Sequence, residues 1–418
     1  MRIGFLVEDI LNISGGANVI IEYAAGLRAL GHEVYVLSTK ATELTGKPWH
    51  PRLEGLHLLP LQRAAEAGRF DFVFATWWFT WFHLWQVDAD VYGYLNQSLE
   101  SRFHAEIFLK RLNRITYSLP MLFVTEAKWI AEFITGVRPE AEVVYVRNGL
   151  SRSFFPLVES VPVRKEGPLR VLVEGPWGVG FKGVPETFEM LDEARRAFSF
   201  EVGWLTSTSG GARPMPGGQP VELHEKVPID RVRDVLRRYD VLLKLSRVEG
   251  MFGPPLEMFS QGGTAITYAV TGSDEYMVHG HNSLLVEPYN RGEIVRYLRL
   301  LDARRDYLTH LRTNALETAR AFPDWEATAR SLEKELERLK RQGYRNAHLR
   351  GSLAALASLH KQVHDEVEAT RRTIGPGEYA LLEHYRRIKG HPLVRNVTGV
   401  IPRSLKQRIR SVLGGNRS

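Results

Sequence analysis

The chain contains no cysteine, which removes disulfides, thiolate-held metals and a cysteine nucleophile from consideration. It also lacks an uncharged apolar run of about 18 residues, the length a helix needs to cross a bilayer. Its opening, MRIGFLVEDI, has neither the basic region nor the small-residue cleavage site of a secretory leader, so the cytoplasm is the expected compartment. A net positive charge is lacking over most of the chain as well. The net charge is +7, but residues 341–418 carry 15 Lys/Arg against 5 Asp/Glu, which leaves residues 1–340 at −3. A nucleic-acid groove across that body is therefore not expected.

At 418 residues the chain exceeds what one hydrophobic core organises, so two domains and an appendage are expected. Short apolar runs alternate with helical or loop segments, the pattern of an α/β protein with parallel sheets. Residues 3–7, 32–38, 70–76 and 91–95 read as strands of a first domain, about 1–165, and the run 122–133 reads as a strand feeding a helix. The polar, proline-containing interval 156–168 reads as a linker. A second domain with its closing helices, 166–340, restarts with the apolar run at 169–174. A basic helical extension, 341–418, follows.

Two features of the first domain carry open readings. WWFTWFHLW, residues 77–85, packs six aromatics into nine positions. Read as a helix, it places Trp78, Phe82 and Trp85 on one face. Such a run can fill the core, stack on sugars or touch a membrane interface, and the core reading is favoured. Asp88-Ala-Asp90 has the form of a cation-binding D-x-D, but it precedes a strand instead of following one and reads as a surface turn. Nearer the N-terminus, Gly15 and Gly16 open a helix after the first strand. Glycine permits close backbone approach, and the helix start offers free N–H groups to a phosphate. An ordinary tight turn explains the pair equally well, and the loop lacks the G-x-G-x-x-G of a dinucleotide site.

The densest signal is residues 239–287. Tyr239–Leu245 reads as a buried strand. A loop with Glu249 and Gly250 follows, and then Pro254 and Pro255 start a helix that has Glu257 in its opening turn. Gly262-Gly263 ends that helix before a second strand. Such a unit opens a ligand cleft at the carboxyl end of a parallel sheet. Two carboxylates eight positions apart can accept hydrogen bonds from a polyol from different sides, although helix capping and solvation explain them too.

EGMFGPPLE and the following GGTAITYAVTGSDEYMVHGHNSLLVEP resemble the Glu-x7-Glu signature of retaining GT-B glycosyltransferases of family 4. The resemblance covers roughly residues 1–335. It implies two facing Rossmann-like domains with a C-terminal helical extension, and transfer of a sugar from a dTDP-, UDP- or GDP-linked donor to an oligosaccharide or lipid-linked glycan. It assigns the donor sugar to Glu249, the ribose to Glu257, and the diphosphate to the glycine loop at Gly15 and Gly16 and to Lys182 in GPWGVGFKG. A basic residue usual early in that second loop is absent, and Lys244 is the expected substitute. Thr271 and Gly272 belong to a turn expected to cradle diphosphate or sugar. No metal and no separate cofactor is expected.

Tyr94-x-x-Gln97-x-x-Glu100 looks like a segment of a subgroup that includes bacterial rhamnosyltransferases and rhamnan-synthesis proteins. Gln97 stands where many relatives place a cleft histidine. It offers amide hydrogen bonds but no useful proton transfer. His104 is expected on the surface or in helix packing. An epimerase or hydrolase of the same fold, or a noncatalytic nucleotide-sugar-binding scaffold, would share these features. Near the C-terminus, PRSLKQRIRSVL places Leu405, Ile409 and Val412 on one face among basic residues. This segment suits an anionic membrane surface at the inner face of the plasma membrane, or docking on protein.

Overall fold

The structure is a computed structural model that describes residues 1–40, 48–104, 106–162, 166–208 and 220–375. The strands of the first lobe are β1 (Arg2–Val7), β2 (Glu33–Ser38), β3 (His57–Pro60), β4 (Phe70–Ala75), β5 (Ala89–Asn96), β6 (Leu122–Thr125) and β7 (Glu142–Tyr145). They form one sheet in the order β3-β2-β1-β4-β5-β6-β7, with every pairing parallel. Helices α1 (Gly15–Ala29), α2 (Trp78–Trp81), α3 (Ile107–Ile115) and α4 (Lys128–Val137) join them.

The second lobe repeats the plan. Strands β8 (Leu169–Glu174), β9 (Phe200–Thr206), β10 (Glu222–Glu225), β11 (Val241–Lys244), β12 (Thr264–Tyr268) and β13 (Leu284–Val286) pair in the order β10-β9-β8-β11-β12-β13. These pairings are also parallel. Helices α5 (Val184–Arg195), α6 (Ile229–Leu236), α7 (Gly253–Ser260), α8 (Arg291–Ala303) and α9 (Arg305–Ala321) cover its faces. Central strands such as Val241–Lys244 are buried along their whole length, as a parallel sheet covered on both faces requires. The structure therefore has the two Rossmann-like lobes that the resemblance implied.

The chain then crosses back. Leu150 N donates to Pro323 O at 2.9 Å where the two inter-lobe segments run side by side. A Cβ on Gly149 would lie 2.4 Å from Trp325 N, so glycine is what lets them meet. Helix α10 (Trp325–Arg341), part of the 166–340 segment in sequence, packs on the first lobe: Trp325 meets Tyr23 edge-on at 5.2 Å. Leu332, Leu336 and Leu339 join the core formed by β1 and α1. The strand–helix pattern of residues 166–340 gave no sign of this return.

Helix α11 (Arg350–Ile374) starts the extension against the aromatic run. Its Leu353 is buried and its His360 ring stacks on Phe82 at 3.9 Å. Trp78 and Trp81 are wholly buried, in accord with the core reading. The expected single helical face does not form, because α2 ends at Trp81 and the chain turns toward β5, which leaves Trp85 38 % exposed. Asp88 and Asp90 bracket the start of β5 and pair with Arg69, Arg345 and Arg350. Among the described residues no helix is long and apolar enough to cross a membrane. Residues 163–165, 209–219 and the basic segment at 405–412 lie outside the described residues.

Candidate active site

The two sheets present their carboxyl ends to each other, and the loops leaving those ends meet. Phe103, after β5, stacks on Phe181, before α5, at 4.8 Å. Arg102 donates to Thr271 Oγ1 at 2.8 Å. Glu275 draws in Lys128 N and Tyr145 OH from the first lobe, each at 2.6 Å.

A cluster of charges lies on the second-lobe side of this junction. Gly183 takes φ +66 before α5, and a Cβ there would fall 2.1 Å from Leu245 O. The loop can therefore lie directly against the end of β11, which brings Lys182 beside Glu249. Lys182 Nζ donates to both Glu249 oxygens, at 3.0 and 2.9 Å. Lys244, the last residue of β11, is 1 % exposed. It turns toward the cluster, paired to the Glu174 carboxylate and 3.9 Å from Glu249. Burial by itself would raise the Glu249 carboxyl, but Lys182 and Lys244 hold it below its ordinary value. Burial opposes charge on Lys182 in the same way, yet Glu249 and Glu174 keep its ammonium above its ordinary value. Both groups are therefore charged at neutral pH.

Glu257 requires a correction. Helix α7 begins at Gly253 and takes both prolines into its first turn, so Glu257 opens the second turn. Glycine at the first position and prolines at the next two need no donor there, which moves the start earlier than the prolines suggested. The Glu257 carboxyl is pushed up to about 7 by burial and by Glu174, against the pull of Lys244. It shares the electrostatic neighbourhood of the lysine cluster but titrates near neutrality.

The first-lobe side is different. Ser14 caps α1 through Ala17 N at 3.1 Å. A Cβ on Gly15 would meet nothing within 4 Å, and one on Gly16 would meet Gln97 Oε1 at 3.5 Å. Space above these glycines is what a ligand-facing helix start needs. Gln97 donates to Gly16 O at 3.3 Å and is partly exposed. The two ends of the Tyr94-x-x-Gln97-x-x-Glu100 pattern are not available to a ligand. Tyr94 OH and Trp78 N both donate to Glu100 Oε2 at 2.7 Å, and burial pushes that carboxyl up to about 8. Only the middle residue of the pattern remains for the cleft. His104 sits beside the Trp77 and Trp78 rings.

Thr271 Oγ1 donates to Glu249 O at 3.3 Å, and Gly272, at φ +86, lies so close that a Cβ would be 1.8 Å from Gly250 O. These two residues brace the Glu249 loop. Of the sequence-chosen residues, Lys182, Lys244 and Glu249 form one cluster, with Glu257 at its edge. Gly16 and Gln97 pair on the first lobe.

Three residues of the junction escaped the sequence reading as functional groups, namely Glu174, Glu126 and Arg102. Glu174 had a signal, since it is a charged residue at the end of an apolar strand. The loop before α5 had another in Gly178-x-Gly180-x-x-Gly183, which has the spacing of a diphosphate-binding turn after a strand and before a helix. Among the described residues no group of three or more His, Asp or Glu is placed to hold a metal.

No family model matches the sequence, and no curated protein matches it. Solved structures do match in fold. Sucrose-phosphate synthase from Thermosynechococcus elongatus is 14 % identical with a TM-score of 0.66, over 82 % of this chain and 100 % of that one. HepE from Anabaena, solved in complex with UDP, is 13 % identical with a TM-score of 0.61, over 81 % and 100 %. A glycosyltransferase from Rickettsia africae is 14 % identical with a TM-score of 0.59, over 81 % and 98 %. The chain has the GT-B fold of these proteins.

Proposed function

We propose that the protein is a nucleotide-sugar-dependent glycosyltransferase that acts on a glycan or glycolipid acceptor. The observation that carries this reading is the Lys182–Glu249–Lys244 cluster, set where two parallel sheets present their carboxyl ends to each other. A departing nucleoside diphosphate gathers negative charge as the glycosidic bond breaks, and preorganised cations beside it lower that barrier. Lys182 has the reach and charge for this, with Lys244 behind it as the second cation. Glu249 then turns its oxygens to the hydroxyls of the donor sugar and Glu257 receives the ribose. Gly15 and Gly16 leave room at the start of α1, and Gln97 supplies an amide to the acceptor side. The Glu-x7-Glu signature favours retention, with attack on the face the leaving group vacates and the leaving phosphate taking the acceptor proton. The Tyr94–Glu100 segment favours rhamnose or a related deoxysugar. The likeness of fold to HepE with UDP bound supports a nucleotide in this cleft.

The test crosses dTDP-, UDP- and GDP-sugars with soluble and lipid-linked glycans, with and without EDTA. A glycosylated acceptor that forms with one donor, and forms equally with EDTA, is the expected result. Donor turnover without acceptor would reassign the site to an epimerase or hydrolase. Donor binding with no turnover across the panel would make it a binding module.

A further inference from the structure

Glu126 follows β6 in the first lobe and is buried. One carboxyl oxygen accepts the N–H of Met251 at 2.9 Å and the other accepts the Asn148 amide at 2.6 Å, both bonds away from solvent. Met251 belongs to the second lobe, two residues beyond Glu249. The residue between them is shaped for this meeting: a Cβ on Gly250 would fall 1.8 Å from Gln97 O and 2.6 Å from Glu126 Oε1. Trp129 Nε1, also from the first lobe, donates to Gly250 O at 3.1 Å. The peptide after Glu249 is thus held by its N–H and by its carbonyl to the opposite lobe, while the Glu249 side chain is held by Lys182 of its own lobe.

We propose that Glu126, backed by Asn148, is a positioning residue: by fixing the Gly250–Met251 peptide against the first lobe it aims the Glu249 carboxylate, so that aim depends on the lobes being closed. The inference rests on the donor-sugar role assigned to Glu249 above. Burial, with Glu249 and Glu275 nearby, pushes the Glu126 carboxyl up to about 8, so at neutral pH it anchors the peptide without a second negative charge beside Glu249. A misplacement of about 1 Å in a reacting constellation costs on the order of 100-fold in rate. Donor affinity, which relies chiefly on the phosphate and ribose contacts and only in part on Glu249, is expected to suffer less than the rate.

The experiment compares Glu126→Ala and Glu126→Gln with the full-length wild type, by steady-state kinetics and by amide hydrogen exchange over residues 249–252. Alanine is expected to lower kcat roughly 10- to 100-fold with donor KM changed less than about threefold, and to speed exchange at Met251. Glutamine is expected to recover most of both losses. Its carbonyl accepts Met251 N–H, and its amide meets Asn148 Oδ1, which has no partner among the described residues. Unchanged kcat, or unchanged exchange, in the alanine variant overturns the proposal. A glutamine variant as damaged as alanine overturns it too, since the site would then need a proton or charge and not an acceptor. If alanine prevents folding, Glu126→Asp, whose shorter side chain cannot span to Met251, takes its place under the same criteria. Exchange requires no turnover, so a wild type inactive with every donor would refute the functional reading, while the anchoring would still be judged separately.

Discussion

The two lobes bury carboxyl groups under opposite electrostatic rules. In the second lobe Glu249 is buried beside two lysines and stays ionised. In the first lobe Glu100 and Glu126 are buried among neutral donors and keep their protons to about 8. Burial alone does not decide the charge of a carboxyl, because the partner does. Under the proposed function the second lobe would supply fixed charge for a phosphate-bearing ligand, and the first shape and neutral hydrogen bonds.

The sharpest way to break this contrast is to remove charge from one side and polarity from the other. Lys182→Met should reduce sugar transfer by about 100- to 1000-fold, the scale of losing one preorganised donor to developing charge. Gln97→Ala on the first lobe should cost roughly tenfold or less, the scale of one neutral hydrogen bond. Steady-state rates with a matched donor and acceptor check both. Comparable losses would dissolve the division of labour between the lobes.

Glu257 sharpens the comparison, because it belongs to the charged lobe yet titrates at about 7. Its ionised form is the better acceptor for ribose hydroxyls. The donor KM should therefore rise as pH falls through 7 and level off above about 8. Glu257→Ala should raise the donor KM about tenfold or more, the scale of a hydrogen bond to a charged group, and should flatten the pH dependence. Donor titrations from pH 6 to 8.5 test this, and a wild-type KM that ignores pH would remove Glu257 from the ribose.

The last expected effect is on stability. Glu100 has an ordinary value of 4.5 and a folded value of about 8. Between these the unfolded chain has released the proton that the folded chain keeps, so stability falls as pH rises across that window, by at most about 1.4 kcal/mol per pH unit for each such group. Glu249 has the opposite sign: its depressed value adds stability above its unfolded value, and this is lost as pH falls through the folded one. Glu100→Gln keeps an acceptor for Tyr94 and Trp78 and should make the protein less sensitive to pH between 5 and 8. Thermal melts across that range measure it, and an unchanged slope would show that the first-lobe carboxyl is not held neutral.

Much of this was legible in the chain because it is local. Strand-and-helix alternation comes from short-range patterning. The start of α7 was misplaced because a glycine followed by two prolines can all occupy a first turn. Of the Tyr94–Glu100 pattern the resemblance singles out Gln97, and nothing local in the sequence shows that the two ends pair with each other and with Trp78.

The sequence by itself determined two α/β lobes, the carboxylate pair at Glu249 and Glu257, and a lysine in the loop before α5, because periodicity and turn chemistry act within a few residues. Tertiary structure alone decided which charges met. Lys182 lies 67 residues from Glu249 and Glu126 lies 125 from Met251. Helix α10 returned to the first lobe because its apolar face fits the core beside α1. Pairings over such separations depend on how the lobes pack, and packing leaves no periodic trace in the chain.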